Sequence, residues 1–219
     1  MLRVVTPEIL DSDDCPPQEV AASLRDIASI NRKFGGVSAS RSLIERVSRL
    51  TGQKHFSMLE VGAGFGEVPK LVGEQVSPLG ISLATTLLDI KRSHLLTGER
   101  SVVADALALP FPDGAFDLVH CNLFVHHLEP EQVSRFVAEG LRVSRVAVLI
   151  NDLVRSRIHL SLVRAAAPLL QSYVSRLDGV ASVKRSYVPD EMRKFVPTRY
   201  RVEISRHFLY RMGVIVWKR

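Results

Sequence analysis

The stretch Leu59-Glu60-Val61-Gly62-Ala63-Gly64-Phe65-Gly66-Glu67 constrains this chain most: three glycines follow an apolar run and open an apolar-periodic one. Glycine accepts a left-handed backbone at little cost and leaves no Cβ between the main chain and whatever approaches it. The first strand-to-helix turn of an open α/β sheet is the usual place for a ligand. Two ligands fit the local sequence poorly. A dinucleotide fingerprint spaces its glycines as Gly-x-Gly-x-x-Gly, whereas here the third glycine comes one residue early and Glu67 takes the expected position. A phosphate loop would continue into Gly-Lys-Ser/Thr, and none follows. With Glu60 before the turn and Glu67 after it, a diphosphate is repelled and a cationic nucleoside is attracted.

The rest of the chain supplies a sheet for this turn. FSMLEV, ATTLLDI, SVVADA, FDLVHCN and RVAVLIND read as strands, with helices from Glu67 to about Glu74 and from about Glu131 to Arg142, and loops around SVVADA. Such alternation predicts a doubly wound, mostly parallel sheet with helices on both faces. The runs are apolar on both sides, as buried parallel strands are. Ahead of the loop, residues 1 to about 17 read as a loose arm. Helices are expected from about Gln18 to the Gly35-Gly36 stop and from about Ser38 to Leu50. From Asn151 to about Arg176 the pattern is helical, with Ile158, Leu162, Ala165 and Leu169 on one face and an interruption at Pro168. That segment is too long for an ordinary connection and is expected to form a lid after the fifth strand. A short helix in YVPDEMRKF and a closing pair of strands, VEISRHF and GVIVWKR, complete the chain.

One domain over residues 1–219 is expected, divided into an arm and helices (1–52), a ligand-binding core (56–150), the lid (151–180) and a C-terminal helix and strands (181–219). No window approaches the apolar length of a membrane span, and MLRVVTPEILDSDD lacks the apolar core of a signal peptide, so a cytoplasmic protein is expected. Cys15 and Cys121 lie in dissimilar contexts and read as reduced thiols. The formal charge of +6 is spread along helices with few aromatics between, which fits a solvated basic surface better than a nucleic-acid groove.

Two more acids stand where a nucleoside needs them. Asp89 ends the second strand about one α/β unit beyond the glycines, where a carboxylate can accept both hydrogen bonds of a ribose diol. Asp105 ends the next strand. Glycine turn, Asp89, and the string ADALALPFPDGAFDLVHCNLFVHHL together resemble the class I S-adenosylmethionine-dependent methyltransferases over about residues 56–150. The resemblance implies a Rossmann-like, seven-stranded sheet whose C-terminal strand is antiparallel, with S-adenosylmethionine as cofactor and S-adenosylhomocysteine as product. It implies that Glu60, Gly62, Ala63, Gly64 and Gly66 cradle the cofactor, that Asp89 and Ile90 meet the ribose, that Asp105 and Ala106 meet the adenine, and that Asn122 stands near the methyl group.

Methyl transfer is an in-line displacement, so positioning is the protein's main task. His127 and His126, after the fourth strand, are candidate general bases because a neutral imidazole has a suitable pKa. Adjacent histidines without a third donor at helical spacing are poor chelators, and no metal is expected. Enzymes that methylate exocyclic amines of bases carry Asp/Asn-Pro-Pro-aromatic at this strand end; here Leu123-Phe124 follows Asn122, and the prolines are absent. The acceptor is sought in the variable parts: Arg32 and Phe34 on the first helix, Arg155 near the lid, and Asp152 at the end of the fifth strand as a second candidate base. The expected reaction is methylation of an oxygen or carbon on a small aromatic or polyketide-like metabolite by a monomer or homodimer. An RNA- or ribosome-directed methyltransferase and a catalytically inactive partner subunit are the alternatives.

Overall fold

Parallel strands flanked by glycine-ended helices build this chain, and a computed structural model describes residues 1–11, 15–95 and 100–218. Residues 12–14 of the expected arm, 96–99 of the expected loop after the second strand, and 219 at the end of the closing strand lie outside the described residues. Helix α1 (Pro17–Lys33) opens on a proline, which suits a first turn that lacks donors' partners. Helix α2 (Gly36–Thr51) follows after Phe34 and Gly35, two residues earlier than the periodicity suggests, because Gly35 turns the chain at φ +85°. Gly52, also left-handed, ends α2 by donating its N–H to Ser48 O.

Then come β1 (His55–Val61), α3 (Glu67–Val76), β2 (Ser82–Asp89), β3 (Ser101–Val103), β4 (Phe116–Asn122), α4 (Pro130–Val143) and β5 (Ser144–Leu153). The C-terminal part contains α5 (Arg157–Ala166), α6 (Tyr173–Arg185), α7 (Pro189–Lys194), β6 (Val202–His207) and β7 (Arg211–Trp217). The sheet order is β3-β2-β1-β4-β5-β7-β6, with β7 antiparallel to both of its neighbours. The strand order reverses between β1 and β4, and the glycine turn sits at that switch point. β7 slots between β5 and β6, so β6 forms the sheet edge.

Strand residues alternate between two apolar layers. Leu59, Val61, Val119, Cys121, Val148 and Ile150 pack with Phe136 of α4 and Met192 of α7. Phe56, Met58, Leu118, Leu149 and Trp217 pack with Ile44 and Val47 of α2 and Val72 of α3. Both cysteines are free thiols. Among the described residues no helix is long and apolar enough to cross a membrane.

The expected lid is a helical hairpin rather than one interrupted helix. Proline cannot continue a helix, and the chain makes a 3-10 turn at Ala167–Leu169 and restarts at Ser172. The Ser172 hydroxyl accepts from Val174 N (3.1 Å) and Ser175 N (3.5 Å), capping α6, which runs on to Arg185 instead of ending near residue 176. Asp26 of α1 accepts from Gln171 N (3.2 Å) and Ser172 N (2.9 Å), tying the hairpin to the first helix.

Candidate functional site

A cavity of about 1050 Å³ opens at the carboxyl ends of β1, β2 and β4, beneath α1, α5 and α6. One wall is the glycine turn. Gly62, Gly64 and Gly66 adopt φ +64°, +52° and +71°, which only glycine takes without strain. At Gly62 a Cβ would stand 2.8 Å from the Phe124 ring. Gly66 differs from the sequence expectation: it does not line the cavity, and a Cβ there would meet Leu87 Cδ1 at 2.6 Å, so this glycine serves helix-on-strand packing.

Asp89 lies beside the turn. Its carboxylate accepts from Gly64 N (3.1 Å) and Lys91 N (3.0 Å), with His94 Nδ1 at 3.4 Å. Burial pushes its pKa up, but the His94 and backbone hydrogen bonds outweigh that and hold it below the usual value. Ile90, 66% exposed, and Asp105, whose carboxylate accepts from Leu107 N (2.8 Å), line the same wall with Ala63 and Ala106. Glu60 reaches the cavity edge but is also spent inward. A buried relay runs from Asn151 Nδ2 to Ser40 Oγ (2.9 Å), from that hydroxyl to His120 Nε2 (2.9 Å), and from His120 Nδ1 to Glu60 Oε2 (2.6 Å).

The opposite wall is a cluster of charges. His126 is buried; its Nδ1 donates to Asp152 Oδ1 (2.7 Å), its backbone N–H donates to Asp152 Oδ2 (3.1 Å), and its Nε2 lies 3.5 Å from Glu8 Oε1. Burial alone would lower this imidazole's pKa, yet Asp152 and Glu8 push it up to about 10. Burial raises Glu8, but the two histidines draw it below its usual value. Half-buried His127 places Nε2 at 3.6 Å from Glu8 and Nδ1 at 3.1 Å from Asp11. Asp11 falls to about 2 despite burial, because His127 and Arg185 both favour its charge.

Between the walls stands Arg211, 1% exposed. Its Nη2 donates to Asn31 Oδ1 (2.8 Å), and Nη1 to Asn122 Oδ1 (3.2 Å) and Asn151 Oδ1 (3.4 Å). Burial lowers it to about 10 against the opposing charge of Asp152.

Of the expected acceptor-side residues, only Phe34 and the two histidines line the cavity. Arg32 is bonded to Glu67. Asp152 stays behind His126. Arg155 is buried and turns away, donating to Met1 O (2.9 Å), Ser186 O (2.6 Å) and Glu191 (2.6 Å). The lid presents Leu162, Val163, Ala166 and Leu169 to the cavity, while Ile158 is 62% exposed and does not line it. Glu8, His94, Leu209 and Arg211 line the cavity without having been singled out by sequence. Leu123 and Leu209, both lining, hold φ of +54° and +52°, a strained backbone of the kind that persists only where the surrounding structure fixes it.

Residues 59–147 match the profile of a methyltransferase domain family. Ajmaline N-methyltransferase from Rauvolfia serpentina is 33% identical over 119 residues, 49% of this chain and 38% of that one. This chain thus spans well under half the length of that curated relative. The plantazolicin methyltransferase BpumL in complex with S-adenosylhomocysteine superposes with a TM-score of 0.68 over 96% of this chain and 93% of its own, at 13% identity. An O-methyltransferase family 2 protein from Planctomyces limnophilus in complex with apigenin gives 0.62 at 14% identity, covering 95% of this chain and 63% of its own. At these identities the structural likeness is one of fold. Over residues 59–147 the chain is thus similar to a methyltransferase domain family, and its fold is that of solved methyltransferases, one of them holding S-adenosylhomocysteine.

Proposed function

We propose that this chain, as one domain, transfers a methyl group from S-adenosylmethionine to an oxygen of a small molecule with an aromatic or otherwise apolar body. When bound, the cofactor supplies an electrophilic methyl group on a sulfonium. The cradle fits such a ligand: its floor is backbone at Gly62 and Gly64, its side is the Asp89 carboxylate, and Arg32 is held by Glu67, the residue after the turn. Asp89 would hold the ribose, Ile90, Asp105 and Ala106 the adenine, and Glu60, Ala63 and Asn122 the rest of the cradle.

The observation that carries the acceptor reading is the second wall. His126 and His127, backed by Asp152 and Asp11, face the cavity beneath the apolar lid residues Leu162 and Val163. His127, fixed by Asp11, can take up the proton of a hydroxyl acceptor, whereas His126, pushed up to about 10 between Asp152 and Glu8, already holds its own; the lid covers an apolar body. A nitrogen acceptor is the second reading, favoured by the similarity to the Rauvolfia N-methyltransferase. The protein is proposed to act in the cytoplasm.

Calorimetric titration with S-adenosylhomocysteine tests the cofactor half, with saturable binding expected and none at millimolar ligand overturning it. Incubation with S-adenosylmethionine, a phenol panel, an amine panel and RNA tests the rest by the mass of the methylated product. A phenyl methyl ether supports the reading; methylated RNA, or cofactor binding without transfer to any acceptor, overturns it.

A further inference from the structure

We propose that Glu8, His126 and His127 form a binding site for a divalent cation of the zinc type, open to the cavity on its fourth side. The acid nearest the two histidines in sequence, Glu129, is bonded to Arg3 (2.9 Å); the fold brings another from the N-terminal segment, where Asp178 accepts from Ile9 N (2.8 Å) and Leu10 N (3.0 Å) and so fixes the turn that carries Glu8.

Four features support the site. The ligand atoms, one from each residue, all lie within 4.8 Å of one another. Glu8 stands 3.5 Å from His126 Nε2 and 3.6 Å from His127 Nε2. Donors about 2.0 to 2.2 Å from a tetrahedral ion lie roughly 3.3 to 3.6 Å apart, so these edges need little adjustment. Each histidine has its other nitrogen on a carboxylate, His126 Nδ1 on Asp152 (2.7 Å) and His127 Nδ1 on Asp11 (3.1 Å), the arrangement that orients ligating imidazoles. The charge also suits a cation: once an ion displaces the protons on the two Nε2 atoms, three carboxylates, Glu8, Asp11 and Asp152, stand against two cations, Arg185, whose Nη1 lies 3.2 Å from Asp11 and 3.8 Å from Glu8, and Arg211, which feels the charge of Asp152.

Glutamate, histidine and histidine with a fourth position free match a catalytic rather than a structural zinc site. All three donors line the cavity. The bound ion would hold the N-terminal turn against the 3-10 turn Val125–His127 and offer its free position to an acceptor oxygen. That last role rests on the methyl-transfer reading; the binding itself does not.

The test is titration of chelator-treated protein with Co²⁺, followed by visible absorption, with Zn²⁺ as competitor. Saturable binding at one ion per chain, with bands of tetrahedral type and displacement by Zn²⁺, is expected. Glu8→Gln and His127→Ala should each weaken it about tenfold or more, Asp11→Asn by about tenfold, and Asp113→Asn, on an exposed loop, should leave it unchanged. No saturable binding, or binding undiminished in both Glu8→Gln and His127→Ala, overturns the site. Should a variant fail to fold, imidazole ¹⁵N shifts in the unaltered protein decide: perturbation of His126 and His127 by Zn²⁺ supports the site, and unchanged signals refute it. S-adenosylhomocysteine binding measured on the same sample keeps failure of the ion site distinct from failure of the methyl-transfer reading.

Discussion

On one wall of the cavity the Asp89 carboxylate is held chiefly by backbone amides, those of Lys91 and Gly64, with His94 beside it; on the other, His126 and Glu8 are held by side chains, Asp152 and Ser182. Backbone amides stay in place when a side chain is cut back, so a truncation on the first wall should cost ligand and leave the fold. The second wall is a set of buried charges that neutralise each other. Removing one strands the others in a low-dielectric interior, which costs the fold.

The sharpest way to break this contrast is Asp152→Ala. Asp152 is 1% exposed and receives both the side chain and the backbone N–H of His126. Loss of one partner from such a buried pair costs about 3 to 5 kcal/mol, to be read from urea unfolding. A loss below about 1 kcal/mol would mean the two walls are built alike.

Arg211→Met probes the ground between the walls. It leaves the amide oxygens of Asn122 and Asn151 without the guanidinium, while Asn31 keeps a donor in Asn122 Nδ2 (3.1 Å). Two orphaned buried acceptors predict about 2 to 3 kcal/mol of destabilisation by the same measurement, partly recovered if the amides re-pair. An unchanged midpoint would show that the amide cluster holds together by itself.

The same contrast explains what could be read from sequence. The first wall follows from turn chemistry that is local: glycines after an apolar run, acids at or just after the next two strand ends, and a turn of Pro112, Asp113 and Gly114 before β4. The sheet was legible for the same reason, since period and punctuation are local signals. Glu8 was not, because MLRVVTPEILDSDD has no periodicity, and only Asp178 of α6 gives the Ile9–Asp11 turn its place. Arg155 was misplaced for the reverse reason: it lies between β5 and the lid in sequence, but Glu191 and Ser186 claim its guanidinium. Gly66 looked like part of the cradle because packing against Leu87 and contact with a ligand impose the same requirement on a residue. Ser172 ahead of Tyr173-Val174 was a readable cap signal that the break at Pro168 overshadowed.

Asp89→Ala is the counterpart on the first wall. Losing a charged acceptor of hydrogen bonds should weaken S-adenosylhomocysteine by about 1.5 to 3 kcal/mol, while unfolding shifts by less than about 1 kcal/mol. Calorimetry and urea unfolding on the same preparation supply both numbers. A larger loss of stability than of affinity would place Asp89 with the second wall.

Asp117, at the far end of β4 from the cavity, calibrates both. It combines the two kinds of support: Ser57 N and Ser57 Oγ, each at 2.8 Å, and Arg145 Nε at 2.9 Å. Burial pushes it up, but Arg145 and Ser57 bring it from 3.8 to about 2. A carboxylate whose folded pKa is depressed adds stability that is complete above its unfolded value and is lost as pH falls through the folded one. The Asp117→Asn variant should therefore be about 1 kcal/mol less stable than the parent at neutral pH, less than the shift alone implies because half-exposed Arg145 is screened by solvent. That difference should shrink as the pH is lowered from 3.8 toward about 2. A difference that persists to the bottom of this window would assign the contribution to the Ser57 hydrogen bonds rather than to charge. Asp117 would then behave like the backbone-held acid of the first wall.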